Sequence, residues 1–197
     1  MAVLYFDTET SSLTPGQICQ LAYIIEDRGI ISSKNFYFTV NSIDPVASSI
    51  TGLTVPRLKV LSGGRLIGDD IEEIACDFSS ASVVVAHNFN FDWCFMRKEF
   101  ERENRVFRFK EKFCSMREFT TLLKLPSQRG GYKYPSLEEL ARCYGVSNDE
   151  TVNFMEEQFA EQSGAHDARY DTCKMYLALS KARTLHGELC EYFNSKL

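Results

Sequence analysis

Long apolar runs are missing from this chain. The longest unbroken one is six residues, Met1 to Phe6, and a membrane span needs about 20, so no helix is expected to cross a bilayer. The first residues carry neither the basic segment nor the long apolar stretch of a secretory leader. Paired cysteines are missing too. The seven cysteines are odd in number and no two stand at C-x-x-C spacing, which argues against a zinc site and a disulfide framework and for a reducing, cytoplasmic setting. Positive charge is in short supply: 22 Lys and Arg face 27 Asp and Glu, a formal net charge of −5. Nucleic-acid binders are usually basic, so the bulk charge counts against one. The distribution is uneven, however. Arg102, Arg105, Arg108, Lys110 and Lys112 crowd into the stretch 97–117. They are interleaved with Glu99, Glu101, Glu103 and Glu111, a mixture more typical of a solvated face than of a binding patch.

What remains is enough for one domain. The chain has 197 residues, 44% apolar and 25% charged, an ordinary globular composition. At roughly 150 residues per domain a single domain over residues 1–197 is expected, large enough to fold without a metal or disulfide staple. Ala2 to Phe6 is a continuous apolar run ending at Asp7, which reads as a central strand buried on both faces. Residues 17–26 and 30–40 read as two further strands, joined antiparallel by the turn Asp27-Arg28-Gly29. Asp44-Pro45 breaks the pattern, and residues 49–54 read as a loop or short helical turn. Asp69 or Asp70 can cap a helix to about Phe78. Ser82 to Ala86 is a second short apolar strand, followed by a helix over about 90–103 and an edge strand near 113–116. Gly130-Gly131 marks a loop. Ser136 and Glu139 form a capping box, with Gly145 just past the helix end. Gly164 precedes a last long helix over about 167–184. Strands come first and then alternate with helices, so the class is α/β, a mixed sheet with helices on both faces.

Three acidic clusters carry the chemistry. Asp7 and Glu9 are two apart at a strand end, so their side chains share a face with alpha carbons roughly 6–7 Å apart. Carboxylates held that close repel unless a cation lies between them. Asp92 falls in the first turn of a helix, beside the wall made by Phe91 and Phe95 at i, i+4. His166 stands on the loop before the last long helix, with Asp167 as its N-cap and Asp171 pointing inward one turn later. Each site alone has an ordinary structural reading: a solvated acid, a helix-dipole partner, a cap, an exposed histidine. Together they fall outside the carboxyl ends of neighbouring strands, where active sites of open α/β sheets form. Four converging carboxylates call for positive charge, and oxygen donors suit Mg²⁺ or Mn²⁺ better than zinc.

The motifs Phe6-Asp7-Thr8-Glu9-Thr10, Ala86-His87-Asn88-Phe89-Asn90-Phe91-Asp92 and His166-x-Ala168-x-x-Asp171 resemble, in content, order and spacing, the DnaQ-like 3′–5′ exonucleases. These belong to the DEDD superfamily, here the subgroup with a catalytic histidine. The likeness spans residues 6–171. Thr51-Gly52-Leu53-Thr54 and Tyr134-Pro135-Ser136-Leu137 are similar to weaker signatures of that family. The resemblance implies a ribonuclease H-like fold with a mixed five-stranded sheet. It implies hydrolysis of nucleotides from the 3′ end of single-stranded DNA or RNA, DNA favoured, with two Mg²⁺ or Mn²⁺ ions, releasing nucleoside 5′-monophosphates. By motif match Asp7, Glu9 and Asp171 would hold the first metal. Asp7 would bridge to the second with Asp92 near it, and His166 would be the general base. Substrate contacts would come from Thr8, Thr10, Leu13, Thr51, Leu53, Asn88 and Phe91.

One position departs from the family pattern. Where Thr-Thr-Gly-Leu often follows the Glu, this chain has Thr10-Ser11-Ser12-Leu13, which removes cheap positive φ at position 12. A mere nucleic-acid binder of the same fold would have broken catalytic positions, and none is broken. A structural metal protein would have no use for His166. A free-standing nuclease, a polymerase proofreading subunit and a homodimer all remain compatible with the sequence.

Overall fold

The computed structural model describes residues 1–14, 16–160 and 166–197. Strands β1 (Ala2–Thr10), β2 (Ile18–Asp27) and β3 (Ile30–Tyr37) form an antiparallel meander. Strands β4 (Val83–Ala86) and β5 (Lys112–Cys114) join parallel on the other side of β1. The sheet is five-stranded and mixed, ordered β3-β2-β1-β4-β5, the ribonuclease H-like arrangement expected. The meander closes through a two-residue turn in which Arg28 (φ 52°) and Gly29 (φ 80°) are both left-handed, the backbone that a twisted hairpin prefers.

Alternation along β1 divides the core. Val3 and Tyr5 enter one apolar cluster and Leu4 and Phe6 the other, one on each face of the sheet. The first cluster packs against α5 (Ser115–Leu123), α6 (Leu137–Cys143), α7 (Asn148–Phe159), α8 (Ala168–Leu185) and α9 (Gly187–Asn194). The second packs against α3 (Ile71–Ser80) and α4 (Phe89–Arg102). A buried strand with both faces covered has no polar side, which is why β1 and β4 read as unbroken apolar runs.

The structure extends β1 past the expected end at Asp7. It runs on to Thr10 because β2 is long enough to pair with it, Asp7 opposite Ala22 and Glu9 opposite Gln20. Strand β4 pairs only with Val3 to Tyr5. The acidic end of β1 therefore has a neighbour on one side only.

Two short helices follow the break at Asp44-Pro45: the first covers part of the segment read as a loop or short helical turn, and the second falls where the sequence suggested no element. In α1 (Pro45–Thr51) the Asp44 side chain accepts from Val46 N at 2.8 Å, and Gly52 ends the helix at φ 68°. Proline in the first turn starts a helix rather than breaking it. Helix α2 (Val55–Leu61) is capped by Thr54. Asp70 precedes α3 without a side-chain capping bond, its carboxylate being held by Arg65. The capping box of α6 forms as read: Ser136 N donates to Glu139 Oε2 at 3.0 Å and Glu139 N to Ser136 Oγ at 3.2 Å. Gly164 lies outside the described residues.

Candidate active site

Asp7 and Glu9 continue the odd-numbered face of β1, the face covered by α8. Asp171, in the first turn of α8, meets them there, and a carboxylate oxygen from each of the three lies within 4.8 Å of the others. Thr8 points the other way, toward α4. Its hydroxyl donates to Asp92 Oδ1 at 2.7 Å, and Asp92 is only 2% exposed. Three acids thus sit on one face of the strand end and the fourth reaches it from the opposite face.

Burial and mutual repulsion raise the affinity of every member for protons. Burial, then the Asp92, Asp171 and Glu9 carboxylates, push Asp7 well above the usual carboxylate range. Burial and the neighbouring acids push Glu9 up to about 8. Asp92 is pushed up to about 7 by burial against the opposing bond from Thr8. Asp171 rises to about 6 through burial, with His166 and Lys174 pulling it back down. Such a cluster is costly as four bare anions and stable around a cation. Its donors are all oxygen, the set that suits hard divalent ions.

His166 is exposed at φ 62° and lies close enough for its charge to act on Asp171. The residue after it is anchored. Asp167 caps α8, accepting from Arg169 N at 3.0 Å, and also takes Arg169 Nε at 2.9 Å and a second Arg169 nitrogen at 2.8 Å. Gln20 Nε2 donates to Asp167 Oδ1 at 3.0 Å, and Gln20 Oε1 accepts from Ala168 N at 3.2 Å. Arg169 also donates to the Tyr37 hydroxyl at 3.1 Å. This clamp ties the start of α8 to β2 and β3. Its Arg169 pairs with Asp167, a fifth acid whose charge still helps to raise Asp7, Glu9 and Asp171.

The expected substrate contacts divide. Leu13 is 80% exposed on the loop after β1, and Ser12 before it does without positive φ. Thr10 is buried, its hydroxyl donating to Ser12 O at 2.9 Å. Thr51 donates to Ala47 O and accepts from Leu53 N, while Leu53 is buried with Cys19, Val40 and Leu58. Asn88 is exposed in the left-handed region (φ 65°) at the turn into α4, and makes no side-chain cap bond. Asparagine tolerates that backbone better than most residues. Phe91 is half-buried with its ring 4.9 Å from that of Phe95. Of these side chains, Leu13 and Asn88 are free to meet a ligand. Thr8, Thr10, Thr51 and Leu53 are engaged within the fold.

Sequence reading missed Gln20, Tyr37 and Arg169. Gln20 carried a signal, being the lone amide in the otherwise apolar run 18–25, since a buried polar group needs partners. His87, which lies within the second motif, was given no role of its own by the sequence. Its Nε2 donates to Pro135 O at 3.1 Å and its Nδ1 lies 2.9 Å from Ser115 Oγ. Burial takes its pKa down to about 4, so it is neutral at physiological pH. A cavity of about 660 Å³ between β5, α5 and α9 touches none of Asp7, Glu9, Asp92 and Asp171. A polar cleft of about 520 Å³ adjoins the loop after β1, lined by Ser11, Ser12, Gln17, Asn41 and Arg102 among others.

A mixed sheet of this order with acids at the open end of its central strand defines a ribonuclease H-like nuclease. The chain belongs to the Exonuclease family (RNase_T), which matches residues 4–179. No curated protein matches it in sequence. Among solved structures, Escherichia coli exonuclease I in complex with a dA16 oligonucleotide superposes with a TM-score of 0.76 at 18% identity, over 98% of this chain and 43% of that one. The zinc-bound complex of the same enzyme with single-stranded DNA gives the same values. A moderately thermophilic exonuclease I from Methylocaldum szegediense gives 0.72 at 20% identity, over 98% and 43%. The chain therefore spans less than half the length of these enzymes, and the likeness is one of fold. Among the described residues no helix is long and apolar enough to cross a membrane.

Proposed function

We propose that this nuclease is a metal-dependent 3′–5′ exonuclease, its single domain covering residues 1–197, acting on single-stranded ends with DNA favoured over RNA. The observation that carries the reading is the oxygen-only cluster of Asp7, Glu9 and Asp171, closed from the other face by Asp92. Asp7, Glu9 and Asp171 would hold one divalent ion, and Asp7 with Asp92 a second. Mg²⁺ or Mn²⁺ bound there would supply Lewis acidity and lower the pKa of water. The complexes of Escherichia coli exonuclease I with oligonucleotides favour single-stranded DNA as the substrate.

In this reading each side chain has one task. His166, exposed beside Asp171, accepts the proton of the attacking water at an imidazole nitrogen. An imidazole is the side chain best suited to accept a proton near neutral pH. Asp7, Glu9 and Asp171 stay ionised once a cation offsets their repulsion. Thr8 holds the Asp92 carboxylate in place. Leu13 projects where the last base would stack. The phosphodiester bond breaks to the 3′ oxygen of the preceding nucleotide, and the product is a nucleoside 5′-monophosphate.

One gel tests this. A 5′-labelled single strand of DNA, its RNA counterpart, a blunt duplex and a circular single strand are incubated with Mg²⁺, Mn²⁺ or chelator. A 3′-shortening ladder on single-stranded DNA that needs the metal supports the reading. Cleavage of the circle, persistence in chelator, or faster loss of the duplex contradicts it.

A further inference from the structure

Of the nine tyrosines, seven have a side chain engaged in a hydrogen bond or ring contact within the fold, as with Tyr5, Tyr170 and Tyr176. Tyr132 and Tyr134 have neither among the described residues, and they are 55% and 57% exposed. Both lie on an arm between α5 and α6. Lys133 N donates to Leu125 O at 2.9 Å, Ser127 N to Gly131 O at 3.1 Å, and Pro126 bridges antiparallel to Tyr132. The tip turns through Gly130 and Gly131, both left-handed at φ 87° and 72°. From Lys124 to Ser136 the arm contains Lys124, Arg129 and Lys133 and no acid. Lys133 pairs with Glu139 at the base of the arm, so Lys124 and Arg129 make it locally cationic in a chain of net charge −5, beside two open aromatic faces.

The base of the arm is tied to the acidic cluster from two sides. Pro135 O accepts from His87, which stands at the end of β4 five residues before Asp92. Glu138, in the first turn of α6, pairs with Lys174, one turn beyond Asp171. The arm therefore rises from the edge where a 3′ end would be processed.

We propose that the arm is a stacking platform for the unpaired bases of a DNA single strand behind its 3′ end, with Tyr132 and Tyr134 as base partners and Arg129 and Lys124 facing the phosphates. This rests on the nuclease reading above. Aromatic rings accept any base because every base has a π-face, and cations beside them follow the backbone. A duplex hides those faces, and exposing them costs unstacking energy, so the platform selects single strands without reading sequence.

The test compares binding of fluorescein-labelled dT16 with that of an abasic strand of equal length, by anisotropy in chelator at low salt. The wild type is expected to bind dT16 about tenfold more tightly or better. Tyr132→Ala/Tyr134→Ala should lose about that factor on dT16 and bring the two strands level. Tyr132→Phe/Tyr134→Phe should keep wild-type binding, since the rings act and not the hydroxyls. Hydrolysis of the dinucleotide TpT, too short to reach the arm, should be unchanged in the alanine pair. The proposal is overturned if the wild type binds the two strands equally, if the alanine pair binds dT16 as the wild type does, if the phenylalanine pair loses as much as the alanine pair, or if TpT hydrolysis falls in parallel. A wild type that prefers dT16 but cleaves neither dT16 nor TpT with Mg²⁺ or Mn²⁺ overturns the nuclease reading and leaves the stacking comparison standing.

Discussion

His166 holds a left-handed backbone (φ 62°) that costs a residue with a β-carbon on the order of 1 kcal/mol. Its side chain gains no burial in return. Strain of that kind concentrates at functional sites, which makes His166 worth testing. His166→Ala is expected to lower single-turnover rates about 10²–10⁴-fold while calorimetric Mn²⁺ binding stays near wild type. Asp7→Ala should lose Mn²⁺ binding outright, and equal losses in the two variants would contradict the assignment. Thr8 makes a different prediction. Its hydroxyl is the side-chain donor to a carboxylate that is 2% exposed and already pushed up to about 7. Thr8→Val removes a bond that lowers that pKa, so Asp92 must titrate higher. The acid limb of the pH–rate profile should move to higher pH, and urea unfolding should register a loss of about 1–3 kcal/mol.

At the level of elements, a buried ion pair helps to fix the start of α8. The Arg169 and Asp167 side chains are 5% and 13% exposed. Breaking such a pair strands a buried charge, at roughly 3–5 kcal/mol. Arg169→Ala should lower unfolding free energy by about that amount in urea titration. Asp167→Asn keeps an oxygen to cap the helix but strands the Arg169 guanidinium, so it should cost a comparable amount; a much smaller loss in both variants would show that the cap and not the charge matters. The cap at Asp167 was legible in the sequence but its ion pair was not, since an arginine in the first turn of a helix reads as solvent-facing. What could be read was local. β1 and β4 announce themselves as apolar runs, the Arg28-Gly29 turn by its residues, and α6 by its capping box. The meeting of Asp7, Glu9 and Asp171 followed from the two-residue period of a strand and the cap at Asp167. Helix α7 gave no such signal, because only Thr151 and Met155 of its twelve residues are buried. Its place is set by packing on α8. Asp92 and Thr8 were assigned in the sequence without the bond between them, because contacts across opposite faces of a strand leave no periodic trace.

For the whole molecule, the acids couple fold stability to pH and to cations. Burial and mutual repulsion push Glu9, Asp92 and Asp171 up to about 8, 7 and 6 from ordinary values of 4.5, 3.8 and 3.8, and raise Asp7 as well. Between about pH 4 and 8 these four acids therefore bind more protons in the folded state than in the unfolded chain, an effect that the single buried, neutral His87 offsets only in part below about pH 6.5. Stability must fall as pH rises through that window and is fully regained below the unfolded values. Metal-free protein is thus expected to melt at a higher temperature at pH 5 than at pH 8. A divalent cation replaces those protons, so Mn²⁺ should raise the melting temperature at pH 8 by several degrees, about 2–4 °C for each kcal/mol in a chain of this size. At pH 5 protons compete and the increment should shrink. Asp7→Asn removes the charge that three other carboxylates oppose. Its metal-free form should melt higher than wild type at pH 8, show a flatter pH dependence, and gain little from Mn²⁺. Differential scanning calorimetry of both proteins at the two pH values, with and without Mn²⁺, decides the matter. A variant with the wild-type pH slope and the wild-type Mn²⁺ increment would mean that the cluster does not set the stability of the metal-free fold. The expected result would mean that the repulsion which makes the site a cation trap is borne by the fold until the cation arrives.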